Sequence, residues 1–149
     1  MERVKPDQPP SSSTDDADRA AIDRLTATFF AAFANERGRS PQLDRLRELF
    51  VDGAIIARRA GDEVEMMSVD SFIAPRRALL SSGELTEFSE WETESRTVVM
   101  DGIACRWSTY EKKGLMRGEP YGGAGRKILS LVRTADGWKI VSIVWEDER

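Results

Sequence analysis

"GWKIVSIVWEDE", residues 137–148, stands almost at the end of the chain. With the two-residue period of a strand, one face carries Trp138, Ile140, Ser142, Val144 and Glu146, and the other Lys139, Val141, Ile143, Trp145 and Asp147. Both faces are apolar through the middle. "GRKILSLVRT", residues 125–134, repeats the feature, with Ile128 and Val132 on one side and Leu129 and Leu131 on the other. An antiparallel sheet is ordinarily polar on the face turned away from its helices. Two strands that break this rule call for a second covering layer, and the chain has no helix left to provide it. The simplest cover is another copy of the same sheet. Leu129, Leu131, Val141, Ile143 and Trp145 are then the expected contact face of a homodimer. Strong curvature that wraps the strands around their own core is the alternative.

The preceding segments extend the same pattern upstream. "EFSEWETESRTVVM" and "IACRWSTYEKKGLM" are rich in β-branched and aromatic residues, and "MDGI" and "ADGW" each place Asp-Gly between two such runs, a strong hairpin signal. "AIIARRAG" and "EVEMMSV" read as two shorter strands. Helices fill the first half. One starts near Asp16 or Ala17, with Ile22, Leu25, Phe29 and Phe33 as its apolar stripe, and ends at Asn35 to Gly38. A second is expected from Ser40-Pro41, burying Leu43, Leu46, Leu49 and Phe50. Ser68 can cap a third, whose buried side holds Phe72, Ile73, Leu79 and Leu80 and whose body contains Pro75. Helices followed by a meander predict an α+β domain, three N-terminal helices on a curved, mostly antiparallel sheet. Residues 1–16, with three prolines and a serine run, read as a disordered tail, and 17–149 as one domain.

Composition narrows the chemistry. The 149 residues include no histidine and one cysteine, Cys105. Ser-His and Cys-His nucleophiles are therefore excluded, as are the usual zinc and iron ligand sets, so neither a metal nor another cofactor is expected. Proton transfer falls to Asp, Glu, Tyr, Lys or water. A net charge of −4 supplies no basic stripe for nucleic acid. The run "LTATFFAAFA" is too short to span a bilayer, and "MERVKPDQPPSSSTDDAD" lacks the apolar core of a signal peptide. With a lone cysteine, these features lead us to expect a cytoplasmic protein that engages neither membrane nor nucleic acid.

On the segments "AIDRLTATFFAAF", "LRELFVDGAII", "SVDSFIAPRRALLSSG", "EFSEWETESR", "DGIACRWSTYE" and "GWKIVSIVWEDE", the chain resembles the nuclear transport factor 2-like (NTF2-like) superfamily. This is the α+β cone, or cystatin-like roll, shared with ketosteroid isomerases and SnoaL-like cyclases, and the likeness spans roughly residues 18–148. The last three segments are similar to a bacterial SnoaL-like subgroup of unknown function. The resemblance implies a pocket between the concave sheet face and the helices. It also implies polar side chains at alternate positions of the last strand, which here are Ser142 and Val144. The tyrosine of the ketosteroid isomerase oxyanion hole has no counterpart among Phe29, Phe30 and Phe33, so that site is not carried over.

Within this frame Phe29, Phe33, Met66, Trp91, Trp107, Ser142 and Val144 are the expected pocket residues. Glu90, Glu92 and Arg96 share one face of their strand, and Arg106, Ser108 and Tyr110 share one face of the next. A hairpin that joins these faces would make Glu92 a candidate general base, with Arg106 and Tyr110 stabilising a developing oxyanion. A solvated face of cross-strand charge pairs fits the same pattern. Cys105 reads as an inert core residue. The expected function is binding of a small organic molecule. Its enzymatic form is a cofactor-independent isomerase, cyclase or dehydratase, and the alternative is a non-catalytic ligand-binding or dimeric assembly module.

Overall fold

The computed structural model describes residues 13–148. Its elements run α1 (Ser13–Ala31), a 3-10 turn (Glu36–Gly38), α2 (Leu43–Glu48), β1 (Phe50–Ala60), β2 (Glu63–Ser68) and α3 (Val69–Ser81). They continue with β3 (Leu85–Met100), β4 (Ile103–Met116), β5 (Glu119–Thr134) and β6 (Gly137–Asp147). The six strands form one sheet in the order β2-β1-β6-β5-β4-β3. Only the β1–β6 pairing is parallel; the others are antiparallel. The α+β expectation therefore holds. The first helix begins at Ser13, a few residues before the expected Asp16, and the rest of the expected tail lies outside the described residues. The second helix is shorter than expected at both ends: Gln42 rather than Ser40 occupies its N-cap, and Phe50, expected on its buried side, already opens β1.

Ser68 ends β2 and caps α3 as its sequence position predicts. Its hydroxyl accepts from the Ser71 amide at 3.1 Å, while the Ser71 hydroxyl accepts from the Ser68 amide at 2.9 Å. This reciprocal pair satisfies two donors that a helix start otherwise leaves unpaired. The α1 helix lies on the sheet through Ile22, Leu25 and Phe29, and Phe33 follows just past its end, all buried. Polar ties fix its register: Asp18 accepts from Trp138 Nε1 and Arg133, both at 3.0 Å, and Asp23 accepts from Arg106 at 2.6 Å. Asn35 joins the far end. Its amide nitrogen donates to the Leu80 and Leu85 carbonyls at 3.0 and 2.8 Å, and its oxygen accepts from the Phe88 amide at 2.8 Å. The end of α1, the end of α3 and the start of β3 are thereby held at one point.

The structure corrects the opening assignment of faces. Leu131 pairs with Ile140 and Ser130 with Ser142, which leaves Val141 as the extra residue of a β-bulge. Trp138 and Ile140 point inward before the bulge, and Ile143 and Trp145 point inward after it. One additional residue exchanges the two faces of everything downstream. Leu129, Leu131, Ile143 and Trp145, expected on a dimer face, therefore lie in the core beneath the helices. Val141, at the bulge, is the one member of that set left exposed. The outer face carries instead a cross-strand row of Met66, Ala57, Val144, Ile128 and Trp107. Cys105 also faces outward and is exposed, so it is not a core residue.

Candidate functional site

A cavity of about 240 Å³ lies between α3 and the inner face of the sheet. Phe33, Phe72, Leu79, Phe88, Tyr121 and Trp145 supply apolar wall. Six charged side chains also line it: Arg58, Arg76, Lys112 and Lys127 against Glu90 and Asp147. Four cations against two carboxylates leave an excess of two positive charges, inside a chain whose net charge is −4.

The inner face of the sheet explains how these groups meet. Lys127 alternates with Leu129 and Leu131 on β5, so strand geometry turns all three inward together. Its ammonium sits 4.2 Å from the Tyr110 ring centroid and 5.2 to 5.8 Å from those of Trp145, Phe29 and Phe30. Its only polar partner among the described residues is Glu90 Oε2, at 3.5 Å. The side chains of Lys127 and Glu90 are 7% and 11% exposed, so the pair is almost dry. Burial pushes the Lys127 pKa down, helped by Arg76 and Lys112, and Glu90 and Asp147 oppose this.

Asp147, Gly125 and Tyr110 are successive partners across β6, β5 and β4. With no side chain on Gly125, the Tyr110 hydroxyl crosses the middle strand and donates to Asp147 Oδ1 at 2.5 Å. A Cβ at position 125 would overlap that hydroxyl and lie 2.5 Å from the Glu146 carbonyl oxygen. Lys112 at 3.3 Å and Arg58 at 3.4 Å also reach Asp147. Desolvation raises the Asp147 pKa, but the Tyr110 hydroxyl and these two cations outweigh it and hold the carboxyl below its usual range. Burial, then Asp147, drives the Tyr110 pKa strongly upward, so the phenol stays a donor. Arg76 differs from the other cations. Its guanidinium lies 3.9 Å over the Phe72 ring and donates to the Phe72 carbonyl, and it has no carboxylate within ion-pair distance among the described residues.

Glu92 and Arg106 meet as expected, with Glu92 directly across the β3–β4 pair from Tyr110. Arg106 holds Glu92 through two hydrogen bonds of 3.1 and 2.7 Å, Ser108 donates to the same carboxylate, and Asp23, Ser95 and Thr97 take the remaining guanidinium bonds. A carboxylate so fully engaged is a structural anchor for α1 rather than a base. The register does bring Glu92, Arg106 and Tyr110 to one face, but the Tyr110 hydroxyl is turned to Asp147 and not to Glu92, and Arg96, expected on that face, is turned outward by the extra residue Thr93.

Of the expected pocket residues, Phe33 lines the cavity, and Phe29 packs behind Lys127. Trp91 borders a separate, more open cleft of about 750 Å³ between α1 and β3, which shares Glu90 with the first. Met66, Trp107 and Val144 are 64%, 37% and 51% exposed on the outer face, and Ser142 turns the same way because of the Val141 bulge. Lys127 and Arg76 are absent from the sequence-based expectation. The signal for Lys127 was its place in the K-x-L-x-L alternation, where a buried lysine is unusual. Arg76 had no such signal.

Solved structures share this fold. The Kfla4162 protein from Kribbella flavida superimposes with a TM-score of 0.74 at 18% identity, covering 91% of this chain and 93% of that one. An NTF2-like protein with a cystatin-like fold from Novosphingobium aromaticivorans gives 0.67 at 17% identity, covering 93% and 92%. The chain has the NTF2-like fold. A third NTF2-like structure, from Streptomyces avermitilis and provisionally named a dehydratase, gives 0.67 at 18% identity, covering 89% and 97%. No protein-family model and no curated protein matches the sequence. At these identities the likeness fixes the NTF2-like cone, and the chemistry has to be argued from the site. Among the described residues no helix is long and apolar enough to cross a membrane, and no cluster of His, Cys, Asp or Glu has metal-binding geometry.

Proposed function

We propose that the protein binds a small aromatic carboxylate in the cavity beneath α3 and carries out acid–base chemistry on it. The observation that carries this reading is Arg76, a half-buried guanidinium lining the cavity that forms no ion pair with a carboxylate among the described residues. A planar guanidinium offers paired donors that match a carboxylate. At about 240 Å³ the cavity falls just below the usual range for drug-sized ligands, about 300–1,000 Å³, which suits one ring with an acidic substituent. Glu90 is the base, since it borders the cavity and among the described residues is engaged only by Lys127, whereas Asp147 is held by three donors. Lys127 and Arg76 stabilise negative charge as a proton leaves the ligand. This chemistry serves an isomerisation or a dehydration and uses no cofactor.

Thermal melting in the presence of phenylacetate and of phenylacetamide tests the binding step. Phenylacetate raises the melting temperature, its neutral amide does not, and Arg76→Met abolishes the difference. Equal effects of the two compounds on the wild type would remove the anion site.

The outer face supports a second element of the reading, a homodimer. Met66, Val144, Ile128 and Trp107 form an apolar row across the sheet, with Ile55, Val98 and Ile103 beside it, all substantially exposed. The neighbouring row is an ion-pair chain, with Glu146 accepting from Arg59 at 2.9 Å and from Arg126 at 2.8 Å. An apolar centre with an ion-paired polar rim is the anatomy of a contact surface, and a two-fold axis through the row lays it on itself.

A further inference from the structure

The geometry points to Lys127 as a nucleophile that forms an imine with the carbonyl of a 2-oxo acid held in the cavity. This inference rests on the anion site proposed above and specifies its ligand class. Three observations carry it. The Lys127 side chain is enclosed by Phe29, Phe30, Tyr110 and Trp145, and it still lines the cavity. It has one polar partner among the described residues, so its nitrogen is not immobilised by a network. That partner, Glu90, also lines the cavity at 3.5 Å from the amine and can move protons between nitrogen and oxygen. A lysine desolvated in an apolar pocket is the form in which an amine attacks carbonyls.

The step conserves atoms and charge. Transfer of one proton from Lys127 to Glu90 gives a neutral amine beside a neutral acid. The nitrogen lone pair then forms the C–N bond, and the carbonyl π pair moves to oxygen, which takes the Glu90 proton. Glu90 recovers a proton from nitrogen, giving a neutral carbinolamine, and returns it to the hydroxyl as the C–O bond breaks and water leaves. The products are an iminium on Lys127, a carboxylate on Glu90 and one water. Glu90 is then placed to remove a proton from the adjacent carbon, and Arg76 to hold the substrate carboxylate. Hydrolysis reverses the attachment.

The groups that set the charge state of the amine come from every surrounding strand and from α3: Glu90, Lys112, Asp147, Arg58 and Arg76. The α1 helix contributes only aromatic rings, Phe29 and Phe30. Burial and the neighbouring cations favour the neutral amine. Each unit of pKa depression raises the neutral fraction at pH 6.5 about tenfold over an exposed lysine.

The test is reductive trapping of the full chain with phenylpyruvate and sodium cyanoborohydride at pH 6.5, followed by peptide mapping. The expected result is an adduct at Lys127 formed at least about tenfold faster than at Lys112, Lys113 or Lys139, suppressed by phenylacetate and absent from Lys127→Arg. Glu90→Gln slows trapping, because the proton carrier is gone. Indiscriminate labelling, in a protein that phenylacetate still protects from melting, would overturn the imine and leave the anion site standing. Indiscriminate labelling with no protection by phenylacetate would overturn both.

Discussion

Lys127 and Glu90 are worth more as a pair than either is alone, because removing one partner strands the other in a nearly dry site. Lys127→Met should cost about 3 kcal/mol of unfolding free energy. The double variant Lys127→Met with Glu90→Leu should return to within about 1 kcal/mol of the wild type or exceed it. Urea denaturation of the four proteins reads both values, and a single variant as stable as the wild type would show that the pair carries no buried charge. Asp147 gives a pH signature. Its folded pKa lies below the ordinary value of 3.8. Its stabilisation is therefore complete above that value and is lost as pH falls through the folded pKa. Asp147→Asn should flatten the acid limb of stability below about pH 4, checked by thermal melts between pH 2 and 6. At this scale the sequence displayed Glu90 on one strand face with Glu92 and Lys127 in an apolar alternation. The division of labour between Glu92, saturated by Arg106, and Glu90, left open, depends on partners that approach from other strands and from α1. No local spacing encodes it.

Asn35 shows how elements are fixed to one another. Asparagine to alanine there leaves the Leu80 and Leu85 carbonyls and the Phe88 amide without their side-chain partner. A loss of about 2–4 kcal/mol is expected, measured by urea denaturation. Gly125→Ala tests the strand crossing: the added methyl displaces Tyr110 from Asp147, so stability falls by about 2 kcal/mol and the acid-side dependence weakens together with it. The helices, the Ser68 cap and the Asp-Gly hairpins were readable because each is a local device with its own residues. The Val141 bulge was not, since a strand apolar on both faces gives the same alternation whether or not one residue is extra. The two-sided pattern of "GWKIVSIVWEDE" has, in the end, a bulge behind it: Trp138 and Ile140 face inward on one phase, and Ile143 and Trp145 on the other.

At the scale of the molecule, the sheet separates two tasks. Its inner face, with α3, encloses a cationic cavity, and its outer face presents an apolar row flanked by paired charges. The proposed dimer predicts that Trp107→Glu, which sets a charge in the middle of that row, yields a monomer by analytical ultracentrifugation while phenylacetate still protects the chain from melting. A wild type that is monomeric at high micromolar concentration would remove the contact. The separation also bears on the whole account, because the cavity has to act on its own charges within an acidic protein. A crystal structure grown with phenylacetate tests that claim most directly. The account predicts the ligand beneath α3, its carboxylate hydrogen-bonded to the Arg76 guanidinium and its ring against Phe72 and Trp145. A carboxylate bound anywhere else, with Arg76 still directed only at the Phe72 carbonyl, would contradict it.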